Sequence, residues 1–305
     1  MAVGAIAECL GRTRTIEEAP ADDLPLPVRA QLLANGHELY TEADDLGPLL
    51  DASVERTLAS AAVSPCEVDR IMLVSEGFAV AATVGSPEED RAEIHSRFHR
   101  MGMGRASVTA MVYPGCHGGV EALHLARLLV AAGDARHVLI VAMHAVLPTE
   151  QRVLPPAVAV LGDGVATALV SEAGRPSDVA VLGDYWPAGF LEAATFRNQG
   201  GDFSATLITL GRALVSLRDK LPPRGEGDVL VVNNYGLPTV GMFAKVTGFA
   251  PEAAFVDNVS RHGHMGSVDI LCNVADAAGP DVGAIYALGT SYTAFSMLRM
   301  TPTSH

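Results

Sequence analysis

Apolar and polar positions along this chain fall into two registers that recur in the same order. Residues 49–62 carry apolar side chains at helical spacing. After Ser64-Pro65 a short apolar run, residues 69–77, reads as a strand buried on both faces. The same order returns at residues 207–217, again helical in spacing. Beyond Pro222-Pro223, residues 227–236 follow with Val229-Leu-Val-Val232 at their centre. A second matching pair is His137-Val-Leu-Ile-Val-Ala-Met-His144 and Val282-Gly-Ala-Ile-Tyr-Ala-Leu-Gly289, each preceded by a long helical stretch and a polar turn. The repetition predicts an α/β chain of two duplicated halves, residues 1–173 and 174–305, with largely parallel sheets covered by helices.

Composition narrows the picture. With 305 residues, 49% hydrophobic and 18% charged, the chain can bury a large core. No apolar run reaches the roughly 18 residues of a membrane span, and the first residues lack a basic segment followed by an apolar one. A cytoplasmic protein with no membrane partner is expected. The four cysteines, Cys9, Cys66, Cys116 and Cys272, show neither CxxC pairing nor zinc-ligand spacing, so reduced thiols and no metal are expected. A formal charge of −14 without clustered Lys and Arg excludes nucleic acid as the main partner. Any anionic carrier must then dock on a local basic patch.

Chemistry enters at Tyr113-Pro-Gly-Cys-His-Gly-Gly119, because the apolar helical run that follows, residues 120–130, puts Cys116 at a helix start. Unpaired N–H groups and the positive dipole end of a first turn favour a thiolate, and glycines let a substrate approach the main chain. The alternative is a small buried residue, as free cysteine often is. Further along come Gly162-Asp-Gly164, Asn233-Asn234, Arg261-His-Gly-His264 and Leu288-Gly-Thr-Ser-Tyr292. In this order the motifs resemble the thiolase superfamily, and within it 3-ketoacyl carrier-protein synthase type III, over most of the chain.

The resemblance implies a thiolase-like fold with an αβαβα layered core, and a catalytic set of Cys116, His264 and Asn233. It also implies an oxyanion site at the backbone N–H groups of Cys116 and Thr290. Type III ketosynthases carry His-Gln-Ala-Asn where this chain has Asn233-Asn-Tyr-Gly236, and Arg-His-Gly-Asn where it has Arg261-His-Gly-His264. Histidine and asparagine have traded places, in the thiolase manner. The second catalytic cysteine of thiolases is absent, since Thr290 and Ser291 follow Gly289. Imidazole titrates near neutral pH, which suits His264 to form the thiolate, with His262 as competitor. The Asn233 amide can donate to a thioester oxygen. Asn234, one residue on, would face the other way. His117, Asn234, His262 and Ser291 are candidates for the pocket wall.

The resemblance implies an acyltransferase without a resident cofactor. It would take acyl-CoA or an acyl carrier protein, whose phosphopantetheine thioester is the substrate, and load the acyl group onto Cys116. Condensation of the type used in fatty-acid or polyketide metabolism is the first expectation. Ester or amide formation on a small-molecule alcohol or amine is the alternative, as is a non-catalytic partner subunit. The tryptophan and Arg-Thr-Gly-Ile segment that help such enzymes hold coenzyme A have no counterpart between Asp22 and Asp44, and Trp186 is the sole tryptophan. Donor docking is therefore expected on Arg97, Arg100, Arg212, Arg218 or Lys245. Residues 88–104 and 151–156 are candidate walls of an acyl pocket. A homodimer, or a heterodimer with a paralogue, is implied with residues 157–161 at its seam.

Overall fold

A computed structural model describes residues 1–75, 87–112, 115–146, 151–154, 157–189, 203–291 and 294–303. The first half comprises β1 (Ala2–Leu10), β2 (Arg12–Thr15), α1 (Leu26–Ala34), β3 (Leu39–Glu42), α2 (Gly47–Ser60), β4 (Arg70–Ser75), α3 (Pro87–Arg100), β5 (Ser107–Val112), α4 (Gly118–Ala131), β6 (His137–His144), β7 (Val153–Leu154), β8 (Ala159–Val160) and β9 (Gly164–Ser171). The second comprises β10 (Ala180–Gly189), α5 (Phe203–Arg218), β11 (Val229–Val232), α6 (Leu237–Thr247), α7 (Ser267–Ala277), β12 (Ile285–Thr290) and β13 (Ala294–Pro302).

β4, β6 and β9 are apolar on both faces because helices cover both. Their side chains are buried from Ile71 to Ser75, His137 to Met143 and Gly164 to Ser171. Nine strands join in the order β11-β12-β13-β10-β1-β9-β6-β4-β5. In order of appearance the first half reads third, second, fourth, fifth, first. The second half reads second, fourth, fifth, first, and a lone parallel bridge from Leu230 to Ala254 marks the place of its third strand. The two α/β halves are duplicated, as the matched runs predict. Parallel pairing is confined to β5-β4-β6 and β11-β12; β1, β9, β10 and β13 pair antiparallel. The sheets are therefore mixed rather than largely parallel, because strands without a crossover helix between them are free to return antiparallel.

α4 and α7 lie between the two sheet halves. Val120, Leu123 and Ala126 of α4 share one buried cluster with Val268, Ile270 and Leu271 of α7 and with the inner faces of β4, β6, β9, β11, β12 and β13. Each fully buried Val, Leu or Ile side chain contributes about 1.5–3 kcal/mol, so this central layer holds the two halves together. Leu50, Val54 and Leu58 of α2 and Ile94 and Phe98 of α3 form an outer core on the first half. Leu214 and Leu217 of α5 and Val240, Phe243 and Ala244 of α6 do the same on the second. The five layers follow. Among the described residues no helix is long and apolar enough to cross a membrane.

Ala157 and Val160 are buried against Ile16, Leu24, Leu32 and Tyr40, and Ala159 against the outer core of the second half, while Val158 and Leu161 are half-buried. One sequence expectation changes here. Phe98 and Met103 belong to the outer core beside α2, so their part of residues 88–104 packs the fold rather than a pocket. Of residues 151–156, the last two lie outside the described residues. Arg152 is buried in an ion pair with Asp163, 2.8 Å apart.

Candidate active site

After β5 the chain turns through Gly115, whose φ of +67° suits glycine. A one-turn 3₁₀ helix, Gly115–His117, then runs directly into α4. A Cβ on Gly115 would meet Ser291 Cβ at 2.6 Å, so the turn is pressed against the β12–β13 connection. Cys116 thereby stands at the N-terminal end of a central-layer helix.

The second half brings its side chains from two places. β11 ends at Val232 and delivers Asn233, Asn234 and Tyr235. The loop before α7 delivers His264, which is locked to the first half by backbone bonds: His264 N–H donates to Val160 O (2.7 Å) and Gly162 N–H donates to His264 O (3.0 Å). Gly162-Asp163-Gly164 is thus the seat of the histidine. Asp163 is itself fixed by the backbone N–H groups of Ala43 (2.9 Å) and Val146 (2.8 Å) and by Arg152.

Cys116 Sγ lies 3.1 Å from His264 Nε2, and His264 Nδ1 lies 2.6 Å from Asp269 Oδ2. Asp269, in the first turn of α7, also accepts from the backbone N–H groups of Met265 (2.8 Å) and Asn234 (3.0 Å) and from the Asn234 amide (3.3 Å). Imidazole and carboxylate are both buried. Burial would pull the His264 pKa down, but the charges of Cys116 and Asp269 and their hydrogen bonds push it well above the ordinary value. A thiol, an imidazole and an orienting carboxylate in line can generate a thiolate nucleophile and supply a proton to its leaving group.

Asn233 does not aim its amide at a substrate. Both donors are used on backbone carbonyls, Gly266 O at 2.7 Å and Cys116 O at 3.2 Å, and its Oδ1 accepts from Thr290 Oγ1 at 3.3 Å. It ties the Cys116 turn to the start of α7 and to β12. Asn234 is turned away from the thiol. It holds Asp269 and Gly263 O, and accepts from Asn273 Nδ2 at 2.9 Å. Thr290 is buried beside Asn233. Because Ser291 N–H donates to Ala294 O across the antiparallel β12–β13 ladder, the Thr290 N–H points the other way, to the side of β11 and the Cys116 turn. Ser291 Oγ bonds the backbone of Ala294. His117 packs its backbone on Gly289, where a Cβ would meet its Cα at 2.8 Å. His262 is half-buried and outside the thiol cluster; burial lowers its pKa, and the Glu8 charge opposes this.

Tyr235 completes the cluster. Its hydroxyl is 2.6 Å from Thr290 Oγ1 and also hydrogen-bonds the Cys116 sulfur, and its ring centre is 4.8 Å from that of His264. Burial, then the charge of Cys116, raises its pKa well above the ordinary phenol, so it is a donor at neutral pH. Tyr235 and Asp269 are the functional side chains that sequence reasoning missed. A lone acid inside the apolar helix start Ser267-Val-Asp-Ile-Leu-Cys272 is the signal that could have found Asp269.

No model of a known protein family matches the chain, and no curated protein matches it. Solved structures do. One described as the acyltransferase ChlB3 superposes with a TM-score of 0.81 at 17% identity, over 99% of this chain and 98% of that one. The thiolase-like ketosynthase III fold is shared. The FabH 3-oxoacyl-(acyl carrier protein) synthase III of Pseudomonas aeruginosa PAO1 matches at 0.73 and 16% identity, over 99% and 98%. AbyA1, a tetronic acid condensing enzyme, matches at 0.72 and 17%, over 98% and 99%. On that fold, the thiol of this chain is met by a histidine backed by an acid and by a tyrosine.

Proposed function

We propose that this chain is an acyltransferase that carries an acyl group from a pantetheine thioester, on coenzyme A or a carrier protein, through Cys116 to an alcohol or amine. The observation that carries this reading is the line Cys116–His264–Asp269, with 3.1 Å and 2.6 Å between its members. In the first half-reaction the Cys116 thiolate attacks the thioester carbonyl. The oxyanion is received by the N–H groups of Cys116 and Thr290. As the carbon–sulfur bond of the donor breaks, the His264 imidazolium gives its proton to the departing pantetheine thiolate. While the sulfur is charged Tyr235 donates to it, and Thr290 turns its hydroxyl proton from Asn233 Oδ1 to the phenol oxygen. In the second half-reaction an acceptor attacks the acyl carbon, loses a proton to a base, and releases the thiolate.

Decarboxylative condensation asks for two side-chain donors on an enolate oxygen, and Asn233 has none to spare. That favours oxygen or nitrogen acceptors. The condensing enzymes among the structural neighbours favour carbon–carbon bond formation as the second reading. For the donor, Arg97 and Arg100 are engaged with Asp51 and Glu93, and Arg218 with Asp219. Arg212 and Lys220 line a hollow of about 700 Å³ between α5 and α6, together with Asp219, and Lys220 also donates to Pro187 O; Arg212 is the cation there that an anionic carrier would meet.

Intact-mass spectrometry after incubation with a panel of acyl-CoA and acyl-pantetheine donors tests the proposal. A mass gain equal to the acyl group, absent in Cys116→Ala, is expected. No gain with any donor would leave the reading of a non-catalytic partner.

A further inference from the structure

The acyl-transfer cycle leaves one imidazole at the site unused. His144, the last residue of β6, is half-buried, and its Nδ1 lies 2.7 Å from Gly162 O. A carbonyl only accepts, so Nδ1 carries the proton and the neutral ring keeps its lone pair on Nε2. Nε2 has no hydrogen-bond partner among the described residues and is not sealed in the core. Gly162, whose carbonyl fixes this ring, also donates its N–H to His264 O, so the two histidines are held by one residue. Their ring centres are 6.4 Å apart, with the planes inclined by 50°. Rings sharing a hydrogen bond would be closer; a single oxygen about 2.8 Å from a nitrogen of each ring would fill such a gap. In the resting pair His264 has its nitrogens committed, one to the sulfur and one to Asp269; in the acyl-enzyme its Nε2 has given up its proton and lies against the acylated sulfur.

We infer that His144 Nε2 is the base of the transfer half-reaction, taking the proton of an acceptor hydroxyl as its oxygen attacks the acyl carbon on Cys116. This rests on the acyl-enzyme proposed above and narrows the acceptor to a neutral alcohol, since a lone pair aimed at the acceptor attracts an O–H and repels a carboxylate. The O–H bond breaks with its proton passing to Nε2, the O–C bond forms, and the C–S bond breaks with its electron pair returning to Cys116. The proton on His144 then moves through water to His264, which gave one up in the first half-reaction, and the thiolate–imidazolium pair is restored.

The test uses p-nitrophenyl acetate as a donor-independent acylating probe, with the acetyl-enzyme followed by intact mass. Water serves as a hydroxyl nucleophile that needs a base, and hydroxylamine as one that does not. His144→Asn keeps a side-chain N–H for Gly162 O and deletes Nε2. It is expected to slow hydrolysis of the acetyl-enzyme by about 10²-fold, far more than it slows acetylation or release by hydroxylamine. Hydrolysis at the wild-type rate, or an equal slowing of all three, would overturn the assignment. Failure of the wild-type protein to become acetylated would instead remove the acyl-enzyme reading itself.

Discussion

A single carboxylate sets the behaviour of the thiol. Asp269 takes one imidazole nitrogen of His264 and is itself oriented by the Met265 and Asn234 N–H groups, so the other nitrogen is fixed on the sulfur. Asp269→Asn removes a charge that holds the imidazolium and leaves burial, which lowers the pKa, less opposed. The His264 titration, followed by side-chain NMR, is therefore expected to move to lower pH in the variant. Cys116 acylation should fall by about 10²-fold or more. An unchanged titration would show that the carboxylate does not govern the imidazole. Cys116 and His264 were legible in the sequence because each stands in a glycine-flanked motif whose order along the chain is distinctive. Asn233 was legible as a neighbour of the thiol, but its direction was not. Once β11 stops at Val232 the alternation of strand faces no longer applies, and the amide turns to the carbonyls of Cys116 and Gly266. Tyr235 gave no signal, since a phenol in a sequence declares burial rather than contact with a sulfur.

At the scale of elements, the site is where the first turns of two helices from opposite halves meet. α4 presents Cys116 just before its first turn, and α7 carries Asp269 inside its own. They approach so closely that a Cβ on Gly119 would sit 2.8 Å from Ser267 O and 3.2 Å from Ile270 Cβ. The first of these is a backbone atom in a turn that also holds Asp269, and it has little room to retreat. Gly119→Ala is therefore expected to destabilise the fold by about 1–3 kcal/mol as overpacking and to spread thiol from imidazole, reducing acylation with every donor. Urea denaturation and acylation rates check this; a variant as stable and as reactive as the parent would mean that the helices do not constrain each other there. Element types were readable because apolar runs of strand length alternate with helical spacing. α4 and α5 arrive within a few residues of expectation, at Gly118–Ala131 and Phe203–Arg218. The antiparallel strands β1, β9, β10 and β13 were not readable, since some pairing partners lie more than half the chain apart and no local pattern selects them.

The whole molecule is one sheet with two ends, and the ends differ. At the β11 end, among the described residues, the neighbouring segment adds only the bridge to Ala254. At the other end, among the described residues, β5 is bonded to β4 alone, with Ser107, Thr109 and Ala110 exposed along it. An open edge of this kind invites another strand unless charge or proline blocks it, and Ser107-Val-Thr-Ala-Met-Val112 contains neither. Nearby on the chain, α4 leaves Leu125 and Leu128 exposed at 39% and 45%, although the rest of the helix is a central-layer element. Of residues 157–161, expected at the seam, Ala157, Ala159 and Val160 are buried, so the β5 edge is the more open place for two copies to pair. The expected assembly is a two-fold dimer with β5 running antiparallel to its own copy, which would continue the sheet across both chains. In such an interface each residue faces the same patch on the partner, so Ala110→Glu brings like charges together. Light scattering after size exclusion is expected to give a dimer for the parent and a monomer for the variant. A monomeric parent would sink the assembly. A dimeric variant would move the interface away from β5. Because the β5 edge leads through the Gly115 turn to Cys116, a dimer formed there would also brace the nucleophile, and the monomeric variant is expected to acylate more slowly than the parent at equal chain concentration.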